Sequence, residues 1–175
     1  AKTSMVLLAV GEWARFGRQV TTYSSNAPPR TVPLGVKERD APERIADYWA
    51  SVDKPGRSGL TDIPWSAAFI SWDIESAGVP RDLFCPDQRH TIYVERMVER
   101  ARRPGAAFIA HRPSERAPQV GDLICASRAG SGTTLDNLNP AGTLVGERSG
   151  VLDAQRYEDL GGGRVASNED TRLAM

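Results

Sequence analysis

Residues 64–72 read PWSAAFISW and form the most strongly patterned stretch of this 175-residue chain. Pro64 suits the first turn of a helix, and either Thr61 or Asp62 can cap that helix. One side of the helix carries Trp65, Phe69, Trp72 and Ser76 at helical spacing. Gly78 favours termination there. The sequence therefore predicts a helix over residues 62–78, with small residues 66–68 allowing close approach of a neighbour.

The rest of the chain divides into a helical first half and a strand-rich second half. Apolar residues recur at helical spacing in stretches 5–20, 41–52 and 90–103. Prolines predict an extended loop over 21–36, and a loop rich in Gly, Ser, Thr and Asn is expected over 129–142. Strands are predicted at 107–111, 122–127, 150–154 and 163–166. This order predicts an α+β fold, with N-terminal helices packed on a small antiparallel sheet formed by the C-terminal half.

The length and composition of the chain exclude several classes of function. The length fits a single domain over 1–175. Lys+Arg and Asp+Glu both number 22, so no strong field attracts nucleic acid. No apolar run approaches the roughly 18 residues of a membrane span. Cys85 and Cys125 are the two cysteines, and a single bridge and two free thiols both stay open. Two histidines and scattered cysteines match no zinc spacing, and the Gly-rich stretch 161–163 lacks phosphate-loop order, so we expect no metal or cofactor.

Three motifs resemble those of bacterial cell-wall cysteine hydrolases of the CHAP and NlpC type. PWSAAFISW resembles their nucleophile helix, roughly P-W-C-A-A-F-V-x-W, with Ser66 in the cysteine position. VGDLICASR at 120–128 resembles their P-G-D-I-V-x-F-x-R strand, and LGGGRVASN at 160–168 a late L-G-G-N-Q-x-N element. The resemblance implies a papain-like core over about 60–168, preceded by a helical part over 1–59. The chain is also similar to an uncharacterised bacterial family that carries W-S-A-A-F-I-S-W and a downstream H-x-x-Y, here His90 to Tyr93.

The chain departs from these hydrolases at both catalytic positions. Their histidine lies on a strand reading G-H-V-G-F-V-V, and the corresponding residues 146–152 read GERSGVL, which places Glu147 there. A helix N-terminus lowers a pKa by only about one unit, which helps a thiol but not a serine hydroxyl. Ser66 therefore needs a general base. His90 is the best candidate, oriented by an acid such as Glu147 or Asp122.

Each of these residues also has a structural interpretation. Ser66 suits tight helix packing, and His90 suits a helix start. Glu147 fits a solvated loop, and Asp122 mainly supports a strand turn in the resembling proteins. Trp65 belongs to the core or borders a substrate groove. The weaker site alternatives are His111 and a Cys85–His90 pair.

The resemblance implies a peptidoglycan amide hydrolase, an amidase or an endopeptidase, with Ser66, His90 and Glu147 as catalytic residues. Trp65 and Asp122 would contribute to substrate binding. Its partner would be peptidoglycan or its peptide stems, and its location secreted, periplasmic or virion-associated. The alternative is a catalytically inactive hydrolase-like module that binds a protein assembly, in a phage particle, a secretion system or the cell envelope.

Overall fold

The structure is a computed structural model that describes residues 1–24, 26–32, 35–112 and 114–126, together with one strand near the C-terminus. The helices in this part are α1 (Lys2–Arg15), α2 (Pro42–Ser51), α3 (Ser66–Ser76) and α4 (His90–Arg100), with a short 3-10 helix at Glu38–Asp40. Strand β1 (Val20–Ser24) pairs antiparallel with β2 (Ala27–Val32), and β3 (Ile124–Ala126) pairs antiparallel with β4 (Arg172–Ala174). The predicted α+β class is therefore confirmed.

Helix α3 begins four residues later than the sequence predicts. The hydroxyl of Thr61 accepts a hydrogen bond from the backbone N–H of Ser58 at 3.1 Å, so it does not cap the helix. Trp65 occupies the N-cap position and makes no capping bond through its side chain. Gly78, with a φ of 82°, follows the last turn as expected. The later start makes Ser66 the first residue of the helix.

The first 32 residues also differ from the prediction. Helix α1 ends at Arg15 rather than at residue 20, because the backbone turns at Gly17 with a φ of 92°. A Cβ on Gly17 would lie 2.9 Å from the Cα of Gly35. The stretch predicted as an extended loop is instead an antiparallel ribbon, in which Thr21 pairs with Thr31. Prolines are tolerated there because both strands of a two-stranded ribbon are edge strands.

The predicted strands are only partly present. Residues 107–110 are irregular, so the prediction of a strand over 107–111 is wrong. The strand predicted at 122–127 is present as the shorter β3. Its partner is β4, in a stretch for which no strand was predicted. The strands predicted at 150–154 and 163–166, and the loop over 129–142, lie outside the described residues.

Helix α3 lies between two buried clusters. Its Ala68 packs with Ile45, Tyr48 and Trp49 of α2. The adjacent Ala67 packs on the other side with residues of α4 and of the β3 segment, namely Tyr93, Val94, Met97, Leu123 and Cys125. Small side chains at both positions let the neighbours approach closely. The N-terminal end of α3 is thereby fixed from two directions.

A buried ionic network joins α1 to α2. The carboxylate of Glu12 accepts two hydrogen bonds from Arg44, at 2.7 and 2.5 Å, and one from the hydroxyl of Tyr48. Burial would raise the pKa of Glu12, but these hydrogen bonds outweigh burial and hold the pKa below its ordinary value. Asp73 of α3 is also buried, and its Oδ1 atom has no hydrogen-bond partner among the described residues. Burial, with the nearby charge of Glu12, raises the pKa of Asp73 to about 7.

The described residues show the state of the two cysteines and whether any helix could span a membrane. Cys85 is exposed and Cys125 is buried, and both are free thiols. None of the helices in that part of the chain has the length and apolar character needed to cross a membrane.

Candidate functional site

The structure brings Ser66 and His90 together. Each is the first residue of its helix, Ser66 of α3 and His90 of α4. The Oγ atom of Ser66 lies 2.8 Å from Nε2 of His90, which is hydrogen-bond distance. His90 is 2% exposed, whereas Ser66 is only half-buried. A hydroxyl near the surface is thus paired with a shielded imidazole, which is the arrangement required of a nucleophile and its general base.

The segment before His90 is attached to α3 by Ser71. The Oγ of this fully buried serine donates to the backbone carbonyl of Asp87 at 3.1 Å and accepts from its backbone N–H at 3.2 Å. The carboxylate of Asp87 in turn accepts from the backbone N–H of Arg89 at 3.0 Å. These bonds hold the start of α4 against the middle of α3. Ser71 was not predicted as a site residue, and its one signal in the sequence is a hydroxyl in the otherwise apolar run FISW.

The second ring nitrogen of His90 contacts Tyr93. Nδ1 lies 2.5 Å from the Tyr93 hydroxyl oxygen, and the two rings meet edge to face. Tyr93 is fully buried, and burial raises its pKa well above 10, so the hydroxyl stays protonated. Tyr93 ends the H-x-x-Y motif, and no role was predicted for it from the sequence. The i, i+3 spacing on one helix was the available signal, because such residues share a face.

The N-terminus of α3 supplies an electrophilic surface beside Ser66. The first N–H groups of any helix lack intrahelical acceptors, and the aligned peptide dipoles make this end positive. No side-chain cap from Trp65 occupies them. An anion placed beside Ser66 could therefore accept hydrogen bonds from these N–H groups.

The carboxylate of Asp122 is hydrogen-bonded to two basic side chains and to one backbone N–H. It accepts from Lys2 at 2.8 Å, from the backbone N–H of Gln119 at 2.9 Å and from Arg116 at 3.4 Å. Burial would raise the pKa of Asp122, but its hydrogen bonds, above all that from Lys2, hold the pKa below its ordinary value. These contacts stabilise the turn before β3 and join it to α1.

Trp65 packs toward the α2 side of the helix. Its ring stacks on Tyr48 with centroids 5.5 Å apart and on Phe16 at 6.2 Å. Its Nε1–H donates to the carboxylate of Glu38 at 2.8 Å. The side chain is half-buried, so it belongs to the packing around Ser66 and still has an exposed part.

The remaining candidates lie elsewhere. Glu147 is outside the described residues, and His111 is half-buried beyond α4. The sulfur of the exposed Cys85 accepts from Arg96 at 2.9 Å, while the ring nitrogens of His90 contact Ser66 and Tyr93. Cys85 and Arg96 line a surface cavity of about 360 Å³ in which neither Ser66 nor His90 takes part. No group of three potential metal ligands occurs in the described part of the chain.

Comparison with known proteins points to one family. The sequence pattern of a family described as "Uncharacterized protein conserved in bacteria (DUF2272)" matches residues 39–159, which is more than half of the chain. No curated protein and no solved structure matches. The matched region contains Ser66, Ser71, His90 and Tyr93.

Proposed function

This chain belongs to the bacterial family DUF2272, and on that premise we propose that it is a hydrolase of peptidoglycan amide bonds, with Ser66 as nucleophile and His90 as general base. The observation that carries the proposal is the 2.8 Å contact between Ser66 Oγ and His90 Nε2. A serine hydroxyl ionises far above neutral pH, so a positioned base is the condition for its attack. Two further contacts support this pairing: Tyr93 contacts the His90 ring, and Ser71 is hydrogen-bonded to the backbone of Asp87 in the segment before His90.

The reaction would follow the acyl-transfer sequence. Ser66 Oγ attacks the carbonyl carbon of the amide, and its proton passes to His90 Nε2. The N–H groups at the start of α3 stabilise the resulting oxyanion. When the intermediate collapses, the C–N bond breaks and the amine leaves with the proton from Nε2. Water then attacks the acyl-serine, returns a proton to Ser66 through His90 and releases the carboxylic acid.

The substrate class rests on the resemblance of residues 64–72 to the nucleophile helix of CHAP and NlpC-type hydrolases. The same resemblance suggests a papain-like arrangement, a secreted, periplasmic or virion-associated location, and peptide stems as the bound part of the substrate. Trp65, which is half-buried and precedes Ser66 in the chain, is the aromatic residue that we expect to contact that substrate.

The test measures both nucleophilicity and hydrolysis. Purified protein is treated with a fluorophosphonate probe, and separately incubated with peptidoglycan while released amines are counted. We expect labelling at Ser66 and amine release, both lost in Ser66→Ala and in His90→Gln. Combining the two substitutions should cause no further loss, because residues that act as a unit are strongly non-additive. Ser76→Ala, at the exposed end of the same helix, and His111→Gln are the matched controls.

Two outcomes would contradict the proposal. If the wild type neither labels nor releases amine, the chain is better explained as an inactive hydrolase-like binding module. If His90→Gln retains wild-type labelling, His90 is not the base. Ser66→Cys gives a further check, because a thiol beside His90 at a helix N-terminus should react with iodoacetamide much faster than the exposed Cys85 does.

A further inference from the structure

The third member of the site is a tyrosine, where serine hydrolases commonly have a carboxylate. In those triads the acid accepts a hydrogen bond from Nδ1–H, which leaves Nε2 unprotonated and able to take the serine proton. A protonated tyrosine is different, because its hydroxyl can either donate or accept. The 2.5 Å contact between Nδ1 and Tyr93 is therefore compatible with two tautomers of His90 that have opposite consequences for Ser66.

The two arrangements satisfy different hydrogen-bonding groups. If Tyr93 donates to Nδ1, the ring proton lies on Nε2 and is donated to Ser66, whose own proton can turn outward because Ser66 is half-buried. If Nδ1–H donates to Tyr93, the Tyr93 proton needs another acceptor. Tyr93 is fully buried, and among the described residues Nδ1 of His90 is the hydrogen-bond partner of its hydroxyl. Cys125, which also influences the pKa of Tyr93, is a weak acceptor.

This difference in hydrogen bonding determines which tautomer of His90 predominates in the resting protein. Leaving a buried donor without an acceptor disfavours an arrangement by roughly 5- to 150-fold in population. The half-buried serine incurs no such penalty in either arrangement, because water can reach it. The arrangement in which Tyr93 donates should therefore dominate.

We propose that Tyr93 is a positioning residue that holds neutral His90 with its proton on Nε2, so that Ser66 is not activated in the resting protein. This inference rests on the proposed function for its catalytic meaning. Turnover then proceeds through the minor tautomer, in which Nδ1 carries the proton and Nε2 accepts from Ser66. Tyr93 thereby lowers the fraction of molecules that are ready to react.

The tautomer can be observed without any activity. In protein labelled with ¹⁵N-histidine, long-range ¹H–¹⁵N correlation spectra separate protonated from unprotonated ring nitrogens, and His111→Gln assigns the remaining signals to His90. At a pH where His90 is neutral, we expect a protonated Nε2 and an unprotonated Nδ1. A protonated Nδ1 in the wild type would overturn the inference, whether or not the protein hydrolyses peptidoglycan.

The second measurement asks whether the tautomer limits reactivity. In labelling by a fluorophosphonate, the Oγ–P bond forms, the P–F bond breaks and the serine proton passes to His90. Tyr93→Phe removes the donor to Nδ1, so we expect the Nδ1-protonated form to increase and Ser66 to label at least about fivefold faster. The exposed Tyr23→Phe is the control for loss of a tyrosine hydroxyl. Slower labelling of a folded Tyr93→Phe protein would show that Tyr93 accepts, as a carboxylate does, and would overturn the inference.

The two proposals fail separately. A wild type that shows protonated Nε2 but never labels at Ser66 leaves the tautomer assignment standing and defeats the hydrolase. A wild type that labels readily and shows protonated Nδ1 supports the hydrolase and defeats the assignment. If Tyr93→Phe does not fold, the spectrum of the wild type alone decides the inference.

Discussion

Asp73 offers the sharpest test of the energetics of this fold. It lies in α3, is 6% exposed and has an Oδ1 atom without a hydrogen-bond partner among the described residues. Burial, with the nearby charge of Glu12, raises the pKa of Asp73 to about 7 from an ordinary 3.8. Replacing it with asparagine keeps the size of the side chain and removes its ability to ionise. We therefore expect Asp73→Asn to change how stability depends on pH.

The magnitude and sign follow from proton linkage. Well below pH 3.8 the folded and unfolded states are both protonated at Asp73, and the residue causes no pH dependence. As the pH rises, the unfolded state ionises first while the folded state keeps its proton to about pH 7, so folding stability falls across this window. A difference of about three pKa units corresponds to about 4 kcal/mol at most. Allowing for solvent screening, we expect the free energy of unfolding to fall by about 2–4 kcal/mol across this pH window.

The assay is urea denaturation at half-unit intervals from pH 4 to pH 8.5, for wild type and for Asp73→Asn. The free-energy difference between them should move in favour of the variant by about 2–4 kcal/mol over this range. Asp62→Asn, an exposed aspartate, should show no comparable trend. A wild-type-minus-variant difference that stays constant with pH would refute the reasoning, because it would mean that Asp73 ionises equally in both states.

Two further substitutions test the packing and the site. Gly59→Ala would place its Cβ 2.2 Å from the carbonyl oxygen of Glu38, and we expect the variant to lose about 1–3 kcal/mol of unfolding free energy in urea denaturation. Gly56→Ala is the control, because a Cβ there meets nothing within 4 Å. Equal losses of stability in the two variants would contradict the close approach at Gly59. Ser71→Ala removes both bonds to Asp87 and should lose about 1–3 kcal/mol and slow the labelling of Ser66, while Ser76→Ala changes neither. Wild-type labelling by Ser71→Ala would show that the Ser71–Asp87 contacts do not position His90.

The interactions between residues distant in the chain were decided by the tertiary structure. The prolines of residues 21–36 indicated an extended chain, but its pairing into a ribbon depends on residues ten positions apart, such as Thr21 and Thr31. Asp122 was open to two interpretations from sequence, an orienting acid or a turn residue. Its carboxylate accepts hydrogen bonds from the backbone N–H of Gln119 and from Lys2, which lies 120 positions earlier. No local pattern contains such a partner.

What the sequence by itself determined is the helical content and the identity of the candidate pair. The spacing of apolar residues, Gly78 after the helix and the motif around Ser66 are local features, and local backbone preferences are readable from neighbouring residues. The hydrogen bond between Ser66 and His90 is not local, because it joins residues 24 positions apart. It depends on the tertiary packing that places Ala67 of α3 and Tyr93 of α4 in the same buried cluster. The same packing buries the Tyr93 hydroxyl against Nδ1 of His90. Which ring nitrogen of His90 carries the proton therefore depends on the tertiary structure and not on any local sequence pattern.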